Sequence, residues 1–139
     1  MAEMSRELIE AGLSWRYTPP RMAALIHDPE TLALVACDPA CIRGFAVAQF
    51  GDEHVHLALL CVQTTQQRQG IGSRLMQWLL QSAQVAGMES IRLELRADNE
   101  MAHAFYRSLG FCQTQLVPGY YDGRIDARRM ALRLHSANP

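Results

Sequence analysis

The spacing of apolar positions changes several times along the chain, and each change marks an element. "SRELIEAGL" (5–13) and "PPRMAALIHD" (19–28) repeat at helical spacing. The second carries proline in its first turn, and Asp28-Pro29 stops it. "TLALVACD" (31–38) and "CIRGFAVAQFG" (41–51) are apolar runs of strand length around an Asp-Pro-Ala turn, so they predict a hairpin. "HVHLALLCVQ" (54–63) is a third strand, apolar enough for a central place in a sheet. From Gly70 the period becomes helical: Ile71, Leu75, Leu79 and Ala83 form a stripe that Met76, Trp78 and Leu80 widen, and Gly87 is the expected C-cap. "SIRLELR" (90–96) alternates strictly, with Ile91, Leu93 and Leu95 on one face and Arg92, Glu94 and Arg96 on the other. "DNEMAHAFYRSLG" (98–110) opens with the capping candidates Asp98 and Asn99 and closes on glycine, which predicts a helix. "FCQTQLV" (111–117) is a strand, "PGYYDGRID" (118–126) a loop, and "ARRMALRL" (127–134) a last strand with Met130, Leu132 and Leu134 on one face.

The predicted order is two helices, three strands, a helix, a strand, a helix and two strands. No repeat, low-complexity segment or linker interrupts it, so residues 1–139 are one domain. Residues 1–30 are its helical N-terminal region, 54–96 a strand–loop–helix–strand unit, and 97–139 a helix with a C-terminal hairpin. The strand–helix–strand unit predicts a right-handed crossover between two parallel strands, and the flanking hairpins are antiparallel. The fold class is therefore α/β (α+β): a mixed, mostly antiparallel sheet with helices packed on it.

Composition narrows the function. Apolar residues make up 49% and charged residues 19%, a globular balance. The net charge of −1 gives no electrostatic case for nucleic acid or an anionic membrane. No apolar run approaches bilayer length, and the N-terminus shows no signal-peptide core. Cys37, Cys41, Cys61 and Cys112 lie in or beside apolar runs with no second Cys/His pair to complete a zinc site. They read as reduced, mostly buried thiols of a cytoplasmic protein, and no metal is expected. His54 and His56 share one side of their strand, with no third ligand nearby in sequence, and read as polar-face histidines.

Two glycines at the junction of the third strand and the long helix need a reason. The first turn of a helix presents unpaired N–H groups and partial positive charge, which suit an anion such as phosphate. Gly70 and Gly72 remove side chains that would block the approach, Arg68 adds a formal charge and Ser73 a hydroxyl. A nucleotide P-loop needs a lysine after its last glycine, and the chain has none. A dinucleotide fingerprint needs a third glycine where Leu75 stands. Two readings stay open: a structural turn, or the pyrophosphate loop of acetyl-coenzyme A enzymes, Gln/Arg-x-x-Gly-x-Gly/Ala, here Gln67-Arg68-Gln69-Gly70-Ile71-Gly72.

Further along, "LELRADNEMAHAFYRSLGF" (93–111) has a strand, an Asn at the next helix start, an Ala-x-x-x-Tyr run and a closing Leu-Gly-Phe. With the glycine loop before it, this resembles the GNAT N-acetyltransferase superfamily over about residues 31–134. "PGYYDGRIDARRMAL", with its Tyr-Tyr loop and Asp-Ala pair, brings the resemblance nearest to the bacterial ribosomal-protein alanine N-acetyltransferases. Departures are present. Family members begin with a strand, and "MAEMSREL" offers no convincing one. Gln69 stands where a basic residue is common, and Thr64 replaces a common proline.

The resemblance implies transfer of acetyl from acetyl-CoA to a primary amine, a peptide N-terminus, a lysine or a small amine, by direct attack on the thioester. It implies that the two central parallel strands splay apart and that the pantetheine arm lies between them. Its amides would pair with the backbone around Leu60, Cys61 and Val62, with the Val62 N–H as oxyanion donor. Gln67, Arg68, Gln69, Gly70, Ile71, Gly72 and Ser73 would hold the diphosphate, with Ala102 beside the arm. Tyr106 matches the family's general acid; its alternative is a core tyrosine with Ala102, Phe105 and Leu109. Glu94 matches a general base; its alternative is an ion pair with Arg92 or Arg96. Asn99 would bond the coenzyme arm, besides or instead of capping its helix. Tyr120 and Tyr121, with Asp122, would shape the acceptor site or form an exposed turn. Cys61 has no His/Asp partner for covalent chemistry, and Arg128 and Arg129 read as solvated. A homodimer is a further implication of the resemblance. The rival function is a non-catalytic coenzyme-A-binding regulator of the same fold.

Overall fold

The computed structural model describes residues 1–2, 18–37, 39, 41–63 and 70–134. The expected helix at 5–13, any first strand in that region, and Thr64, Gln67, Arg68 and Gln69 lie outside the described residues. The elements are α1 (Pro19–His27), β1 (Thr31–Cys37), β2 (Ile42–Phe50), β3 (His54–Val62), α2 (Ile71–Val85), β4 (Ser90–Arg96), α3 (Glu100–Ser108), β5 (Cys112–Tyr121) and β6 (Ile125–Arg133). The six strands form one sheet in the order β1-β2-β3-β4-β6-β5. Every neighbouring pair is antiparallel except β3–β4, which is parallel. The mixed, mostly antiparallel sheet with one central parallel pair is thus the fold that the strand pattern predicts.

Helices cover both faces. α2 buries Ile71, Leu75, Met76, Leu79 and Ala83, the predicted stripe, against Ala46, Ala48, Val55, Leu57, Ile91 and Leu93. On the opposite face Met22 of α1 packs with Phe45, Val47, Leu59 and Cys61. β2 is buried from both sides, which explains its unbroken "FAVA" run. Trp78 departs from the prediction. It falls on the margin of α2 away from Met76 and stays 62% exposed. The thiols depart too: Cys61 alone is buried, while Cys37, Cys41 and Cys112 are exposed.

One irregularity opens the sheet. Val47 pairs with Leu59 and Ala48 with Leu57, so Ala58 is an extra residue in β3. Such a bulge reverses the side-chain alternation beyond it. Val55 and Leu57 therefore face α2, while Leu59 and Cys61 face α1. The parallel ladder with β4 runs from His54–Ser90 to Leu57–Leu93 and stops there, at the bulge. β4 stays joined to β6 along its whole length. β3 and β4 consequently part toward their C-terminal ends.

The C-terminal hairpin is longer than predicted. β5 continues through Tyr120 and Tyr121 instead of ending at Val117, so the two tyrosines stand on a strand and not in a loop. The turn is tight: Asp122 (φ 53) and Gly123 (φ 68) lie in the left-handed region, and the Arg124 N–H donates to the Tyr121 carbonyl at 3.0 Å. These are the backbone demands of a primed hairpin turn, and Asp-Gly meets them. Pro118 is tolerated because β5 is the edge of the sheet. Irregular register between Val117 and Tyr121 absorbs the mismatch.

Candidate active site

The parting strands leave a groove of about 850 Å³, a size suited to a sizeable ligand. Ala58–Val62 of β3 form one wall and Glu94–Arg96 of β4 the other. Gly70–Ser73 close one end, and Asn99, Ala102, Phe105 and Tyr106 of α3 reach in with Tyr121 of β5. Of the residues singled out from sequence, Leu60, Cys61, Val62, Gly70, Ile71, Gly72, Ser73, Glu94, Asn99, Ala102, Tyr106 and Tyr121 meet here. Tyr120 joins through its hydroxyl. The Gln63 N–H donates to Arg43 of β2 at 2.8 Å, so alternation turns the Val62 N–H to the groove edge of β3.

The two glycines differ. Gly70 is the N-cap of α2 with φ 77 and no side-chain cap, and a Cβ there would meet open space. Its demand is conformational. Gly72 lies inside the first turn, and its Cβ would stand 3.4 Å from Phe105 Cζ. It has no left-handed backbone to explain it; a Cβ there would stand in the space between Val62 and Phe105, at ordinary contact distance from both.

Tyr106 is 8% exposed. Its ring makes edge contacts with Phe105 and Phe111, centroids 5.2 and 5.5 Å away. Burial pushes the phenol well above its ordinary value, and Cys61 and Tyr121 push further in the same direction. It stays protonated at any working pH, a donor and not a base. Asn99 caps α3, its Oδ1 accepting the Ala102 N–H at 3.0 Å. The cap uses only the oxygen, and the amide N–H₂ is a separate donor.

Glu94 is not paired as the sequence suggested. Arg96 turns to Asp98 at 3.2 Å, and Arg92 turns to His54 at 3.0 Å. The partners of Glu94 come from other strands: His56 Nε2 at 3.0 Å and the Tyr120 hydroxyl at 3.1 Å, both on Oε1. Arg129 Nε, from the β6 residue directly opposite, stands 3.9 Å from Oε2. The His56 hydrogen bond leads in holding the carboxyl below its ordinary value, against burial, which raises it; the Tyr120 bond and the Arg129 charge add to the lowering. Glu94 is therefore ionised at neutral pH. Arg128 and Arg129 are less solvated than expected: Arg128 also reaches Gln113 at 2.8 Å and Arg129 reaches Gln115 at 3.0 Å.

His56 was legible only as a polar-face residue. A parity argument places it beside His54, but its contact with Glu94 depends on the β3–β4 register, which no local pattern carries. His54 itself has neighbours that its sequence surroundings did not reveal as a set. Ligand atoms of Glu53, His54 and Glu89 lie within 4.8 Å of one another, and His54 Nδ1 meets Ser90 Oγ at 2.7 Å.

A central parallel pair split by a bulge, with a glycine-flanked helix N-terminus at the mouth of the split, defines a class of protein. Residues 2–111 match the acetyltransferase (GNAT) family, and the chain belongs to it. A stretch of 94 residues is 38% identical to the [ribosomal protein bS18]-alanine N-acetyltransferase of Escherichia coli strain K12. That stretch covers 66% of this chain and 64% of the relative, so the chain spans a little under two thirds of the relative's length in this alignment. The crystal structure of the E. coli ribosomal-protein-S18-alanine N-acetyltransferase superposes with a TM-score of 0.78 at 29% identity, covering 94% of this chain and 88% of that one. N-alpha-acetyltransferase 30 of Schizosaccharomyces pombe is 30% identical over 134 residues, 91% of this chain and 87% of the relative.

Proposed function

We propose that the protein transfers acetyl from acetyl-CoA to a primary amine, and that the amine is the N-terminus of a protein. The observation that carries this is the split between β3 and β4 with Tyr106 and Glu94 on its two sides. An extended arm laid in the split meets strand backbone on both flanks, and its diphosphate end meets Gly70–Ser73. The acceptor arrives as an ammonium ion and needs a base, which Glu94 supplies. The free amine attacks the thioester carbon, the Val62 N–H stabilises the oxyanion, and the carbon–sulfur bond breaks. The departing thiolate takes its proton from Tyr106, and the second proton of the acetylated nitrogen returns to the phenolate, so the neutral amide, the free thiol and the phenol remain. Two relatives named for acetylating protein N-termini support that class of acceptor over lysine or small amines.

The test is thiol release from acetyl-CoA with alanyl N-terminal peptides, lysine peptides and small amines, followed by mass spectrometry of the products. Acetylation of the peptide α-amine supports the reading. Acetyl-CoA binding with no acetylated amine in any class overturns it in favour of a non-catalytic coenzyme-binding protein.

A further inference from the structure

Both hydrogen bonds to Glu94 fall on one oxygen. His56 comes from β3 and Tyr120 from β5, and each meets Oε1, at 3.0 and 3.1 Å. Among the described residues, Oε2 has only the longer approach of Arg129 Nε, at 3.9 Å, beyond hydrogen-bond reach. We propose that His56 and Tyr120 are positioning residues: they pin Oε1 and leave Oε2 as the oxygen that takes the proton of the acceptor amine. The inference rests on Glu94 being the base. A carboxylate held by one donor swings about its last torsion, whereas two donors from opposite sides of β4 fix its plane.

The other charged groups on this face are engaged away from the carboxylate. Arg92 turns to His54 and Arg96 to Asp98. From α3 and β5, Tyr106 and Tyr121 reach the groove as phenols. The side chain of His56 is 44% exposed and that of Glu94 13%. The imidazole therefore stands between the carboxylate and solvent, and it can be changed without opening the core. Tyr120 thereby gains a task different from acceptor binding.

Each donor on Oε1 favours the ionised carboxylate, so losing one raises the proton affinity of Glu94. The acid limb of kcat/KM then moves to higher pH. H56L, which has no donor, is expected to move that limb up by about one pH unit and to lower kcat about tenfold through misorientation. The KM for acetyl-CoA stays unchanged. H56Q keeps an N–H donor and is expected to bring the limb and most of the rate back. Y120F shifts the limb the same way. It also tests the same oxygen independently should H56L fold poorly. A limb that stays in place in both H56L and Y120F overturns the proposal, whatever the rates. Y120F that raises only the acceptor KM overturns its Tyr120 half. E94Q separates the layers: wild-type rate and limb in E94Q remove the base reading beneath, while an inactive E94Q with an unshifted H56L limb removes this inference alone.

Discussion

Along Ala58–Val62 and Gly70–Ser73 the groove wall is backbone and open space; around Glu94 it is a knot of side chains drawn from four strands. The first region works by what is missing. A ladder stops at a bulge, and two glycines put no side chain at the helix start. The second works by what converges, since His56, Tyr120 and Arg129 reach Glu94 from three strands other than its own. The difference teaches where substitutions will act. On the proposed function, side chains added to the first region are expected to obstruct binding, and side chains removed from the second to impair the chemistry while binding persists.

The sharpest contrast is Tyr106→Phe, which takes one oxygen from the chemical side. As the proposed acid, its loss is expected to lower kcat by about 10²-fold or more with acetyl-CoA affinity within about twofold. Steady-state kinetics alongside calorimetry checks both numbers. An unchanged kcat assigns the proton to another group. Gly72→Val tests the other side by adding bulk. An alanine Cβ fits at ordinary contact distance from Phe105, so Gly72→Ala serves as the folded control. Gly72→Val is expected to weaken acetyl-CoA binding about 30-fold or more, roughly 2 kcal/mol, with thermal melting showing the fold intact. Equal affinity in the two variants breaks the idea that the wall works by vacancy.

The two regions also differed in how far they could be read in advance. The glycine pair is a short contiguous pattern, and so is the Asn99–Tyr106 helix, because each function sits within one element. The split was implied by resemblance and not by β3 itself. Buried residues recur at Val55, Leu57, Leu59 and Cys61 without a break, yet the bulge sends the second pair to the other face. Both faces are covered, so the alternation hides the reversal. The Glu94 cluster depends on strand register between segments far apart in the chain, and its local pattern suggested Arg92 and Arg96 instead. Asp122-Gly123 carries a hairpin signal, but Pro118-Gly119 just before the two tyrosines reads as a strand break, which is why Tyr120 and Tyr121 are expected in a loop. Trp78 met the spacing rule and failed it in space, because the buried stripe of α2 widens on the Met76 side and not on the Trp78 side.

Asn99 stands where the regions meet and can be split chemically. Asn99→Ala loses the cap on Ala102 N–H and is expected to cost about 1 kcal/mol, a fall in Tm of about 3–5 °C. Asn99→Asp keeps the accepting oxygen and loses the amide donor. It is expected to hold Tm near wild type while acetyl-CoA affinity falls severalfold. Affinity untouched in Asn99→Asp confines the residue to its cap.

The smallest effect concerns charge in the folded protein without any substrate. The fold holds the Glu94 carboxyl below its ordinary value, His56 first among the causes. The folded state therefore favours the ionised form, and the resulting stability is present above the unfolded carboxyl value of about 4.3. It is lost as pH falls through the lower folded value. Glu94→Gln carries no such term. The difference in Tm between wild type and Glu94→Gln is expected to be flat above about pH 5.5 and to move steadily against wild type below about pH 4.3. A difference that moves in favour of wild type on acidification would mean that burial outweighs His56, Tyr120 and Arg129. The carboxyl would then sit above its ordinary value, and the convergent side of the groove would strain its central residue instead of holding it.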